Sequence, residues 1–204
     1  MLKPNYRGSV GYGELFMRPG FKQWGRSMQD DLIDGVDWLV KEGISDPDRV
    51  CVVGASYGGY AALVSAYRSS DRFRCAASLA GVANLDTMDR RSYDFDLVKR
   101  NRDRMQSGDQ LRANSPYHHA DDFVLPLLMV HGDEDTVVSV DQSRALAPEL
   151  QAAKKPFSYI EQSGGDHFLS GGGQRREFFS HLGRFLDEHL HPETEPQSAA
   201  GSGD

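Results

Sequence analysis

Between Val50 and Tyr60 the chain reads as an apolar run, a serine set among glycines, and the start of an apolar helix: Val50-Cys51-Val52-Val53-Gly54-Ala55-Ser56-Tyr57-Gly58-Gly59-Tyr60. The pattern G-x-S-x-G after a strand and before a helix forces a sharp turn at the serine, with its hydroxyl pushed clear of the sheet. Small residues two before and two after it let strand and helix pass without Cβ clashes. A glycine-rich turn with an incidental serine is the competing reading, and later residues decide between the two.

A nucleophilic serine needs a base, and the base needs an orienting carboxylate; on open α/β folds with this elbow they follow in the order Ser, Asp or Glu, His. Two segments fit. The apolar run Val124-Leu125-Pro126-Leu127-Leu128-Met129-Val130-His131 opens into Gly132-Asp133-Glu134-Asp135-Thr136-Val137-Val138. A short strand, Phe157-Ser158-Tyr159-Ile160, leads to Glu161-Gln162-Ser163-Gly164-Gly165-Asp166-His167-Phe168-Leu169. Both loops lie where the carboxyl ends of parallel strands meet, the edge at which open α/β sheets place their sites. Residue types alone leave Asp133, Glu134 and Asp135 open as the acid.

The remaining pattern agrees with a parallel sheet covered by helices. Ser27 is placed to cap a helix with apolar positions Leu32, Ile33, Val36, Leu39 and Val40, ended by Gly43 and followed by the turn Asp46-Pro47. The elbow helix spans about 57–68 and the next strand 73–79. Residues 84–115 are charged and irregular, suggesting one or two helices over the site. Asp141 to Ala152 is helical with Pro148 inside, which should kink or shorten it. Phe178, Phe179, Leu182, Phe185, Leu186 and Leu190 form one apolar stripe, read as core packing. The run 171–173 reads as a loop, and 192–204 as a disordered polar tail after one domain over 1–191.

Several stretches resemble the catalytic domain of the prolyl oligopeptidase family of serine peptidases, which includes dipeptidyl and acylaminoacyl peptidases. They are Asn5-Tyr6-Arg7-Gly8-Ser9-Val10-Gly11-Tyr12-Gly13, the elbow region from Asp46 to Tyr60, His131-Gly132 with Asp135 and Val138, and Asp166-His167. The resemblance covers roughly residues 4 to 190. It implies the α/β-hydrolase fold and selects Asp135 as the acid, with Ser56 as nucleophile, His167 as general base and the backbone N–H of Tyr57 as an oxyanion donor. Asp166 is then support for His167 rather than the orienting acid. Tyr57, Val82, Leu85, Met88 and Val138 would wall a substrate pocket of apolar character. The substrate class implied is peptides, cleaved through an acyl-enzyme. An esterase on the same fold is the alternative, because the triad does not separate esters from amides. In the family a His-Gly-Gly-Pro-like stretch precedes the Asn-Tyr-Arg-Gly segment and completes the oxyanion hole, whereas this chain begins at Met1-Leu2-Lys3-Pro4-Asn5. The expectation is therefore an α/β-hydrolase domain lacking its first strands, with a neighbour missing beside the elbow strand. A misassigned start, a truncated product or a second chain would each account for that, and a non-catalytic fragment is the rival to an enzyme. Arg7 is expected on a loop after a first strand, holding that loop.

Composition narrows the partners. Among 204 residues the net charge is −7, against a nucleic-acid footprint, and the basic residues Arg90, Arg91, Lys99, Arg100, Arg102 and Arg104 are interleaved with acids. No apolar stretch reaches the length of a membrane span or a signal peptide core, so cytoplasmic placement is expected. A peptide substrate, and a homo-oligomer or an upstream segment, are the partners implied. His118-His119 is rejected as a metal pair, no cofactor or metal is expected, and Cys51 and Cys75 are read as buried reduced thiols.

Overall fold

The computed structural model describes residues 1–91 and 107–191. Four strands form one parallel sheet in sequence order: β1 (Cys51–Ala55), β2 (Cys75–Leu79), β3 (Leu127–Gly132) and β4 (Phe157–Gln162). Their register aligns Ala55 with Leu79, Leu79 with Val130, and Val130 with Ile160. β1 and β2 end at one level and β3 and β4 run two residues beyond it, so the loops after β1, β3 and β4 lie along one sheet edge.

The helices are α1 (Glu14–Met17), α2 (Ser27–Lys41), α3 (Tyr57–Arg68), α4 (Leu85–Arg91), α5 (Asp109–Ala113), α6 (Asp141–Ala152) and α7 (Gly172–Leu190), with 3-10 turns at Arg18–Gly20 and Pro116–Asp122. Strand alternation sorts the core into two layers. Ala76, Leu127 and Met129 face a cluster with Leu63 and Ala66 of α3, Leu146 and Leu150 of α6, and Ile33 and Val36 of α2. Ala77, Leu79, Leu128 and Val130 face the other side, against Phe178 and Leu182 of α7. β2 and β3 are buried at every position, matching their mainly apolar sequences, with Ser78 and His131 the polar exceptions.

Several expectations are corrected. Ser27 is the first helical residue of α2; Arg26 occupies the cap position with no side-chain cap bond. Residues 1–13 contain no strand, with turns at 7–8 and 10–11, so the Asn5-Tyr6-Arg7 segment is not strand-flanked. Arg7 instead forks onto Asp31 of α2 through Nε (2.8 Å) and Nη2 (2.6 Å), and its backbone N–H donates to the same carboxylate at 2.8 Å. α6 continues through Pro148 to Ala152. Phe179 is 60% exposed, because it lies about 100° around the helix from Phe178, off the stripe made by Phe178, Leu182, Phe185 and Leu186. Gly172 and Gly173 open α7 rather than forming a free loop. Cys51 and Cys75 are not free thiols: adjacent strands place them opposite each other with Cα atoms 4.7 Å apart, joined by a disulfide. Residues 92–106 of the irregular stretch, including the basic residues from Lys99 to Arg104, and the tail from 192 lie outside the described residues.

Candidate active site

Ser56 sits between β1 and α3 with φ 56° and ψ −119°, a left-handed backbone that a non-glycine residue adopts only under local constraint. Its N–H donates to Leu79 O at 2.9 Å and its carbonyl accepts from Tyr60 N at 3.0 Å, so strand β2 and the first turn of α3 fix the turn from both sides. A Cβ on Gly54 would run into the backbone of Gly58, which explains the first glycine of the motif; a Cβ on Gly58 itself would meet open space. Ala80 and Leu169, on the loops after β2 and β4, also have positive φ. Among the described residues, three of the five non-glycine residues with positive φ thus lie at the same sheet edge.

The loop after β3 separates the three acids left open by the sequence. Asp133 and Glu134 are exposed, whereas Asp135 is 7% exposed. Asp135 Oδ1 accepts from the N–H groups of Val137 and Val138, both at 2.8 Å. Its Oδ2 accepts from His167 Nδ1 at 2.6 Å. Burial pushes this carboxyl upward, but hydrogen bonds from His131 and His167, then those from the Val138 and Val137 amides, outweigh it and hold the acid well below the ordinary carboxylate range. With Nδ1 donating to Asp135, a neutral His167 carries its lone pair on Nε2, which has no hydrogen-bond partner among the described residues. Ser56 Oγ likewise has none among them; bonds between such groups are often loose without substrate.

The glycines of the histidine loop serve the same assembly. A Cβ on Gly132 would collide with Gly165, and Glu134 N donates to Gly165 O at 3.0 Å. Asp166 does not approach the imidazole as an orienting acid. Its Oδ1 accepts from Phe168 N (3.1 Å) and Ser170 N (2.8 Å), shaping the loop behind His167. His131, fully buried, has Nε2 at 2.9 Å from Val138 O. A carbonyl only accepts, so Nε2 carries the proton, and Nδ1 accepts from Ser143 Oγ at 2.8 Å. The same Nε2–H reaches Asp135 Oδ2 at a long 3.4 Å.

Tyr57 opens α3 with its backbone N–H unclaimed by any acceptor among the described residues, while its ring packs on Tyr6 (centroids 5.1 Å) and Trp24 (4.6 Å). Val82 (2% exposed), Leu85 (3%) and Val138 (8%) are buried together with Tyr60, and Met88 and Tyr57 pack against them. A cleft of about 370 Å³ opens beside this cluster, lined by Thr87, Met88, Val137 and Val138 among others. A wider cleft of about 960 Å³ lies at the far end of α3, where its charges already pair: Arg68 with Asp30 and Gly25 O, His119 with Asp122 and Ala113 O. His118 is bound to Asp86 at 3.2 Å. No group of three or more His, Cys, Asp or Glu among the described residues could hold a metal ion.

A strained serine at a strand-to-helix turn and a buried Asp–His pair on the neighbouring loops invite comparison with known proteins, and the family model described as "Prolyl oligopeptidase family" matches residues 1–193. The chain belongs to the prolyl oligopeptidase family. Dipeptidyl aminopeptidase BIII of Pseudoxanthomonas mexicana is 33% identical over 96% of the chain, and dipeptidyl peptidase family member 6 of Caenorhabditis elegans 29% identical over 96%. The chain spans only 30% and 28% of those two relatives. Among solved structures, a puromycin-hydrolysing peptidase of Mycobacterium tuberculosis superposes with TM-score 0.86 at 29% identity, covering 93% of this chain and 29% of that one. An acylaminoacyl peptidase in complex with Z-Gly-Gly-Phe-chloromethyl ketone gives TM-score 0.84 at 27% identity, with 94% and 32% covered. These structural neighbours are α/β-hydrolase peptidases, and the parallel sheet with flanking helices is that fold.

The residues missed in the sequence are those that brace the site. Nothing in their local pattern marks Gln142 or Ser143, because their partners lie on distant segments of the chain.

Proposed function

We propose that this domain is the hydrolytic part of a serine peptidase that cleaves peptide bonds through an acyl-enzyme. The observation that carries the reading is the 2.6 Å bond from His167 Nδ1 to a buried Asp135 whose other oxygen is capped by two amides. It leaves the imidazole one tautomer, with Nε2 as acceptor, on the sheet edge that also presents Ser56. In the first half-reaction Ser56 Oγ attacks the scissile carbonyl carbon while His167 Nε2 takes its proton. The imidazolium then gives that proton to the leaving amine as the C–N bond breaks. Water repeats the sequence on the ester, releasing the acid. Asp135, held ionised, stabilises the imidazolium without itself taking the proton. The N–H of Tyr57 is one donor to the developing oxyanion, a role whose loss typically costs about 100- to 1,000-fold in rate.

The peptide reading is supported by family membership and by relatives that are themselves described as dipeptidyl and acylaminoacyl peptidases. Met88 and Val138, backed by Tyr57, Val82 and Leu85, give the 370 Å³ cleft an apolar wall suited to the side chain on the acyl side of the scissile bond. No helix among the described residues is long and apolar enough to cross a membrane. The Cys51–Cys75 bridge argues against a reducing cytoplasm, because disulfides persist mainly in oxidising compartments. Turnover of aminoacyl p-nitroanilides, lost in Ser56→Ala, tests the proposal; cleavage of p-nitrophenyl acyl esters alone would sink the peptidase reading in favour of an esterase.

A further inference from the structure

We propose that Gln142, in the first turn of α6, is a positioning residue that sets acyl-side selectivity by holding residues 83–87 in place. The inference rests on the reading of the 370 Å³ cleft as the acyl pocket. Gln142 is 6% exposed, and its amide spends every hydrogen-bonding position on that one segment. Oε1 accepts from Ala83 N at 2.9 Å and Asn84 N at 2.6 Å. Nε2 donates to Asn84 O at 3.2 Å and to Thr87 Oγ1 at 3.1 Å. A flipped amide would set its NH₂ group against two backbone N–H donors, so one orientation is dictated.

The segment it holds has no sheet ladder of its own. It leaves β2 through Ala80 at φ 49°, and the N–H groups of residues 83, 84 and 85 are all satisfied by side chains from elsewhere, the third by Ser115 Oγ at 2.9 Å. Asn84, Thr87 and Met88 on this segment line the cleft together with Val137, Val138 and Gln142 itself. Gln142 therefore fixes that segment's part of the lining. The next residue, Ser143, reaches His131 and through it the Val138 carbonyl. One turn of α6 thus holds both the pocket wall and the loop that carries Asp135.

A buried glutamine that only completed backbone hydrogen bonds would affect stability, whereas a positioning residue also changes which acyl groups are accepted. The test uses the full chain in a Ser56→Ala background, so that binding is read without turnover. Amide resonances are followed while N-acetyl-leucine and N-acetyl-lysine are titrated, and backbone amide exchange is measured in parallel. In Gln142→Ala the Ala83 and Asn84 amides should exchange at least about tenfold faster, with β2 amides unchanged, and the preference for the leucine acid should fall about tenfold. Gln142→Glu, which still accepts from both amides, should keep their protection and most of the preference. Thr87→Val removes the outer anchor together with the bond from Thr87 Oγ1 to Asn84 O at 3.2 Å, and should lower the preference by about threefold; it decides the matter if Gln142→Ala does not fold. An unchanged preference in the Ala and Val variants overturns the inference, whatever happens to exchange. Failure of the Ser56→Ala protein to bind either acid overturns it together with the pocket. If the preference follows Gln142 but the protein with Ser56 intact turns over no peptide or ester, the peptidase reading fails and the positioning role stands.

Discussion

Ser56 holds a backbone angle that glycine would adopt freely, and it is held there by Leu79 O, Tyr60 N and the Gly54–Gly58 approach. Gly54→Ala should therefore destabilise the chain by at least about 1–3 kcal/mol, read as a lowered urea midpoint; an unchanged midpoint would mean that the approach is not a tight one. Asp135 supports two predictions. Asp135→Asn should lower kcat about 10⁴-fold with little effect on KM, because the amide no longer imposes the productive imidazole tautomer. The carboxyl's depressed pKa also fixes the sign of a stability effect. A group that ionises more easily when folded contributes stability that is present in full above the unfolded value, near pH 4, and lost as the pH falls toward its lower folded value. Wild type should then exceed Asp135→Asn in urea stability by about 1–3 kcal/mol at pH 7, with the gap closing below pH 4. A gap that is constant or widens on acidification contradicts the assignment.

At the scale of elements, the sheet order carries the proposed site because the loops after β1, β3 and β4 leave the same sheet edge and each bears one residue of the proposed triad. Much of this was legible in the sequence. The elbow helix is found at Tyr57–Arg68, and all four strands lie within two or three residues of their expected places: the first three were legible as apolar runs and β4 as the alternating Phe157-Ser158-Tyr159-Ile160. What escaped depended on pairing. Cys51 and Cys75 look like ordinary core thiols until the β1–β2 register sets them opposite each other. Phe179 looks like part of an apolar stripe until the rotation of α7 is known. Gln142 is a polar residue near a helix start until its four partners, some sixty residues away in sequence, are brought to it. The disulfide closes a loop of 24 residues containing the whole elbow, so reduction or Cys51→Ser should cost about 3 kcal/mol. Thermal melts with and without reductant measure this, and coincident melts would show that the bridge adds nothing to the fold.

For the whole molecule, the division of labour is between a sheet packed on both faces and a functional edge built from loops. The faces use apolar residues of α2, α3, α6 and α7; the edge uses strained backbone, paired loops and a buried polar network running from Ser143 through His131 to Asp135 and His167. The chain covers about 30% of the relatives it matches, so the competence of this edge in the chain itself is the central question. Intact-mass analysis after exposure to a fluorophosphonate addresses it most directly. One adduct, mapped to Ser56, is expected, absent in Ser56→Ala and strongly slowed in His167→Ala. No adduct, an adduct elsewhere, or labelling of Ser56 indifferent to His167 would contradict it.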